Sequence, residues 1–135
     1  MHTAPFLVGR ILALADLLHK EYCVHVRNGE VPPQLIGNAL MSSAIDNPVK
    51  GLARLRERLM IYQAWANKIH GEDSRLAKWS LKEMGAVSNK LAELDLPDRT
   101  NDADKAQMLL GYLARSEDKA SEDDNGSTQN SERGF

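Results

Sequence analysis

The chain has a single cysteine, Cys23, so no disulfide can form within it. That excludes a disulfide-stapled scaffold and points to a reducing compartment. Aromatic residues make up only 5% of the sequence, so any core must be built chiefly from aliphatic side chains. Long apolar runs are missing as well. The best candidate, between Phe6 and Leu18, is broken by Arg10 and Asp16 and falls short of the ~20 residues that cross a bilayer. No basic cluster precedes it in the manner of a secretory signal, so a cytoplasmic protein without a membrane segment is expected. Nucleophile signatures are also lacking. Ser42, Ser43, Ser74, Ser80 and Ser88 sit in no glycine-flanked elbow, and no glycine-rich phosphate loop follows a strand. The carboxylates Glu83, Glu93, Asp102 and Asp104 suit helix caps and exposed faces. No enzyme activity, catalytic residue or cofactor is expected.

Nor is there an excess of positive charge: the formal net charge is −2. Its distribution is uneven, however. Residues 116–135 hold six acids and two bases, a net −4, which leaves residues 1–115 at +2. This last segment is rich in Ser, Asp, Glu, Asn and Gly, and its only large apolar residue is Phe135. Such a segment buries too little surface to offset its ordering entropy, so the expected organisation is a folded domain over 1–115 and a disordered acidic tail over 116–135.

Within 1–115 the apolar residues recur at helical spacing. Leu7, Ile11, Leu14, Leu18, Tyr22 and Val26 define one face of a helix over 5–26, with Pro5 in its first turn and Asn28-Gly29 as its stop. Pro32-Pro33 opens a shorter helix to about Ser43, carrying Leu35, Ile36, Ala39 and Leu40. Gly37 inside it signals either close packing or a weak helix. Asn47-Pro48 is a cap followed by a proline at the first helical position, and the helix it starts should run to His70 and stop at Gly71. Its inner face is Leu52, Leu55, Leu59, Tyr62, Ala66 and Ile69. A fourth helix, capped by Asp73 or Ser74, places Leu76, Trp79, Leu81, Met84, Val87, Leu91 and Leu94 inward before Leu96-Pro97 ends it. A fifth begins at Thr100 or Asn101, with Asp102 and Asp104 in the first turn and Ala106, Leu109, Leu110 and Leu113 as its inner face. The expected fold is all-α, a single bundle of about five helices joined by short connections. Leu12, Leu17, Met60 and Ile61 fall outside these stripes, and wide burial within a five-helix packing accounts for them better than a partner surface.

Two constellations bear on function. Lys50, Arg54 and Arg58 recur every four residues along one flank of the third helix, and Arg75, Lys78 and Lys82 share a face of the fourth. Cations held on a rigid element suit contacts to phosphates, although they equally suit a solvated helix flank. Tyr62 and Trp65 lie on the third helix and could stack on an exposed base, or belong to the core. With a net +2 over the folded part, independent nucleic-acid binding should be weak and need a larger assembly to position it. His19, Cys23 and His25 amount to one half-pair of metal ligands, so no metal site is expected.

The stretches Ala4-Pro5-Phe6-Leu7-Val8-Gly9-Arg10-Ile11-Leu12-Ala13-Leu14, then Asn47-Pro48 with Leu52, Leu55 and Tyr62, then Leu96-Pro97 followed by Leu109-Leu110-Gly111-Tyr112-Leu113-Ala114-Arg115, occur in an order with a family likeness. Together they resemble the C-terminal region of the large subunit of type I-C CRISPR Cascade, which that family also makes separately, from an internal start, as the small subunit. The resemblance spans 4–115. Its middle is less exact, because Leu35-Ile36-Gly37-Asn38-Ala39 stands where the family has a Gly-Ser-Ala-rich segment, and the tail has no counterpart. The resemblance implies a non-catalytic helical bundle present in more than one copy. Its partners would be the backbone, large and guide-end subunits, the guide RNA, and the target and non-target DNA strands. The alternative is a helical protein–protein adaptor or regulator whose basic flanks serve only solvation.

Overall fold

Thr3 starts the first helix: its Oγ1 accepts the Phe6 amide at 3.4 Å, and Pro5 occupies the first turn, where its missing N–H leaves no bond unmade. In this computed structural model, which describes residues 2–114 with the side chain of Asp73 excepted, α1 runs Ala4–Val26. It is followed by α2 (Ile36–Asp46), α3 (Pro48–Lys68), a short 3-10 turn (Glu72–Ser74), α4 (Arg75–Leu91) and α5 (Asp102–Leu113). The all-α bundle of five helices is as the periodicity predicts. The acidic tail and Arg115 lie outside the described residues.

The architecture is a central helix with walls. α1 packs against α2, α3, α4 and α5, and from Ala4 to Leu18 every residue except half-buried Phe6 is buried. Leu12 and Leu17, off the predicted stripe, are therefore core residues, since a helix apolar all round is buried all round. Met60 and Ile61 are not. They are 66% and 59% exposed, because α3 is a peripheral helix with one covered face. The wide-burial expectation holds for two of these four residues and fails for the other two.

Close helix crossings are made by glycines. A Cβ at Gly9 would strike the Met108 carbonyl, and one at Gly111 would strike the Phe6 carbonyl, so α1 and α5 meet backbone to backbone. Gly37 sits in the same way against the Leu12 carbonyl, and Gly51 lies 2.5 Å (ideal Cβ to Ala44 Cα) from α2. Of the two readings of Gly37, close packing is the one realised.

Three boundaries differ from expectation. α2 starts at Ile36, after the Pro32-Pro33 segment, and extends to Asp46; its cap residue Leu35 has no side-chain acceptor of its own. α3 stops at Lys68, with Gly71 at φ +91°. α4 ends at Leu91, where bonds from Glu93 to Lys90 (3.2 Å) and Leu94 to Leu91 (3.0 Å) tighten the chain into a turn before Pro97 is reached. α5 begins at a capping box in which the Asp104 amide donates to Asn101 Oδ1 (2.8 Å) and the Asn101 amide donates to Asp104 Oδ2 (3.1 Å).

The largest correction concerns the face of α5. Leu109, Leu110 and Leu113 are 47%, 53% and 67% exposed, and Ala106 is exposed too; Met108 and Gly111 are the buried residues. A crossing at glycine contact distance leaves no room for leucines between the helices, so the small residue faces inward and the leucines face out.

Candidate functional site

Lys50, Arg54 and Arg58 stand on the exposed flank of α3 that turns toward α2, and Arg54 Nη1 donates to Ser43 Oγ at 3.1 Å. Among the described residues none of the three makes an ion pair. Arg56, two residues further and about 200° round the helix from Arg54, points the other way. It lines a groove of about 290 Å³ between α3 and α4. Leu52, Leu55 and Leu59 form one wall of this groove, Met84 and Leu91 the other, and Ile11 of α1 contributes to its lining.

On α4, Arg75 and Lys82 are exposed and likewise without an ion pair among the described residues. Lys78 is half-buried, and its Nζ donates to the Ala66 carbonyl at 3.0 Å. Ala66 lies in the last turn of α3, where carbonyls lack helical partners and attract cations. Lys78 thus ties α4 to the end of α3. The structure brings Lys50, Arg54 and Arg58 together as one row and Arg75 and Lys82 as a second. Of the α3 row, Arg54 reaches Ser43 of α2, while Arg56 takes the α4-facing side of the helix.

Tyr62 and Trp65 both belong to an aromatic cluster that joins α3 to the outer half of α1. Tyr62 stacks on His19 with ring centroids 4.6 Å apart, and Tyr22 meets Tyr62 at 4.9 Å and Trp65 at 5.5 Å edge-on. His25 tilts over Trp65 at 5.7 Å and lies 3.6 Å from Glu21. Both rings are half-buried and engaged within the chain. Burial, with smaller contributions from Cys23 and Tyr22, pushes the Tyr62 phenol above its ordinary value.

The polar centre of the molecule went unrecognised in the sequence. Asp16 is fully buried on α1, and its Oδ1 accepts the amides of Gly37 (2.6 Å) and Asn38 (3.3 Å) at the start of α2. Its Oδ2 accepts the Tyr112 hydroxyl from α5. One turn on, His19 Nδ1 accepts the Ile36 amide at 3.0 Å, and Nε2 lies 3.3 Å from Tyr62 Oη. With Nδ1 an acceptor, the proton sits on Nε2 and donates to Tyr62. Two α1 side chains therefore cap α2 from outside it, which explains how that helix starts without a local cap. Burial lowers the His19 pKa, Asp16 opposes this, and Arg27 adds to it. Arg10 is the second buried charge of α1, with Nη2 3.2 Å from Glu83 Oε1 on α4. The sequence signal for both is the pair of charges interrupting the apolar run from Phe6 to Leu18. Cys23 is buried, and among the described residues no three His, Cys, Asp or Glu side chains gather as for a metal ion. Likewise none of the described helices is long and apolar enough to cross a membrane.

No family model, curated protein or solved structure gives a significant match to the chain.

Proposed function

We propose that this chain is a non-catalytic small subunit of a type I, I-C-like CRISPR Cascade ribonucleoprotein in the cytoplasm. It would act in more than one copy beside the backbone, large and guide-end subunits. In this reading Lys50, Arg54 and Arg58, with Arg75 and Lys82, contact sugar-phosphate chains of the guide RNA–target DNA duplex and the displaced strand. Guide pairing reads the sequence. R-loop formation is close to energetic balance, so a few protein contacts to phosphate are enough to tip it.

The observation that carries this reading is that the α3 cations are exposed and have no acidic partner among the described residues. The motif resemblance across 4–115 supplies the particular assembly. Its test is charge reversal at Lys50, Arg54 and Arg58 together, in the assembled complex at physiological salt. Target capture should fall while the helical content and thermal midpoint of the subunit stay near the native values. Unchanged capture would reject the surface.

A second reading, a helical adaptor that binds protein alone, is favoured by the outward leucines of α5. The two are separated by what a tagged chain recovers from its native cell. Guide RNA with several backbone subunits supports the first, and one protein without RNA supports the second.

A further inference from the structure

Seven glycines fall among the described residues, and six have a structural reason. Gly9, Gly37, Gly51 and Gly111 lie at helix crossings where a Cβ would collide with a neighbouring element, and Gly29 and Gly71 adopt φ of +85° and +91°. Gly85 has neither reason. It lies in the interior of α4, is exposed, and a Cβ there would meet nothing within 4 Å. A glycine in the middle of a helix is destabilising relative to alanine, because it loses the most backbone freedom on ordering. Nothing within the fold compensates for that loss.

The position of Gly85 on the helix is informative. Lys78, Lys82, Gly85 and Asn89 follow at spacings of four, three and four, and therefore form one strip along α4. Arg75 extends the strip by one further turn toward the start of the helix. Lys82, Gly85 and Asn89 are exposed, and Lys82 and Arg75 have no ion-pair partner among the described residues. The nearby acid, Glu83, is committed to Arg10 on α1. At this place the helix backbone is bare and is approached along its axis by uncompensated positive charge.

We infer that Gly85 is a close-approach point for the sugar-phosphate backbone of a nucleic-acid duplex, oriented by Arg75 and Lys82 on the same strip. This rests on the proposed nucleic-acid function and narrows it to α4 and to a double-stranded partner. A missing methyl group matters only to a partner too rigid to bend around one, and a duplex is rigid where a single strand is not. The cations select a polyanion over an apolar or basic surface, and backbone contact requires no base readout.

The experiment compares the full-length native chain with Gly85→Ala, Gly85→Leu and Lys82→Ala, titrated against fluorescein-labelled mixed-sequence duplex DNA at low salt. Gly85→Ala should raise the thermal midpoint by about 4 °C, because alanine is the better helix former. The same variant should weaken duplex binding by about fivefold, and Gly85→Leu by more, since a steric obstacle at a rigid contact typically costs an amount worth that factor or greater. A purely structural role cannot produce higher stability together with lower affinity that worsens with side-chain size. Unchanged duplex affinity in both glycine variants overturns this inference and leaves the broader proposal standing. So does a lowered thermal midpoint for Gly85→Ala. Failure of the native chain to bind duplex at low salt overturns this inference as well; the broader proposal is judged separately, by target capture in the assembled complex.

Discussion

Asp16 does the work of a local cap for a helix that has none, and it does so from a different helix. Removing it as Asp16→Ala strands the Gly37 amide, and deprives Asn38 and the Tyr112 hydroxyl of their charged acceptor. A hydrogen bond to a buried charged acceptor is worth roughly 1.5–3 kcal/mol, so a loss of about 3 kcal/mol is expected in urea unfolding. A midpoint within experimental error of the native one would remove Asp16 from the account. His19 makes a pH-dependent contribution to the same cap. Its pKa in the fold is below the ordinary value of 6.5, so the unfolded chain binds the proton more readily. Stability from this group is therefore complete above about pH 6.5 and declines as pH falls toward the lowered folded value. Protonation also turns Nδ1 from an acceptor into a donor facing the Ile36 amide. Between pH 7.5 and 5.5 the native chain should lose stability more steeply than His19→Gln, measured by denaturant midpoints across the range. Equal slopes would show that His19 titrates without consequence.

At the scale of the helices, most of the order was legible and one face was not. The Asn47-Pro48 start, Pro5 in a first turn and the acidic opening of α5 are local signals carried by neighbouring residues, and the structure realises each of them. The start of α2 is set by Asp16 and His19, 20 and 17 residues before Ile36 in sequence. A local reading has no access to such a tie. α5 shows a different failure. Periodicity identifies leucines at 109, 110 and 113 as a coherent face but says nothing of which way that face turns. The direction was decided by Gly9 and Gly111, whose small size lets the backbones touch. Gly111→Ala should therefore cost stability, about 1–3 kcal/mol of overpacking against the Phe6 carbonyl, despite the better helix propensity of alanine. Leu110→Ser with Leu113→Ser should change the unfolding midpoint little, within about 0.5 kcal/mol per site as for other surface positions. A large loss in the leucine double variant would place that face inside after all.

For the whole molecule, the candidate surface was legible in part. Regular spacing gave the rows on α3 and α4, because side-chain direction along one helix follows from its geometry. Spacing could not give the commitment of Lys78 to the end of α3. Under the proposed function, removing Lys50, Arg54 and Arg58 together should lower the slope of log affinity against log salt by up to about 2.7 on duplex DNA. A slope unaffected by loss of all three cations would mean that they face only solvent.

The encirclement of α1 has a further consequence during synthesis. α1 is translated first of the five helices, and α5, which covers its Gly9 side, is translated last. At about 5–20 residues per second, roughly 4–17 s separate the appearance of Val26 from that of Leu113. Throughout that interval the helix with the most buried residues among those described waits at the ribosome without its final wall. Nascent chains stalled before residue 102 should accordingly be bound by holding chaperones far more than the released 135-residue chain.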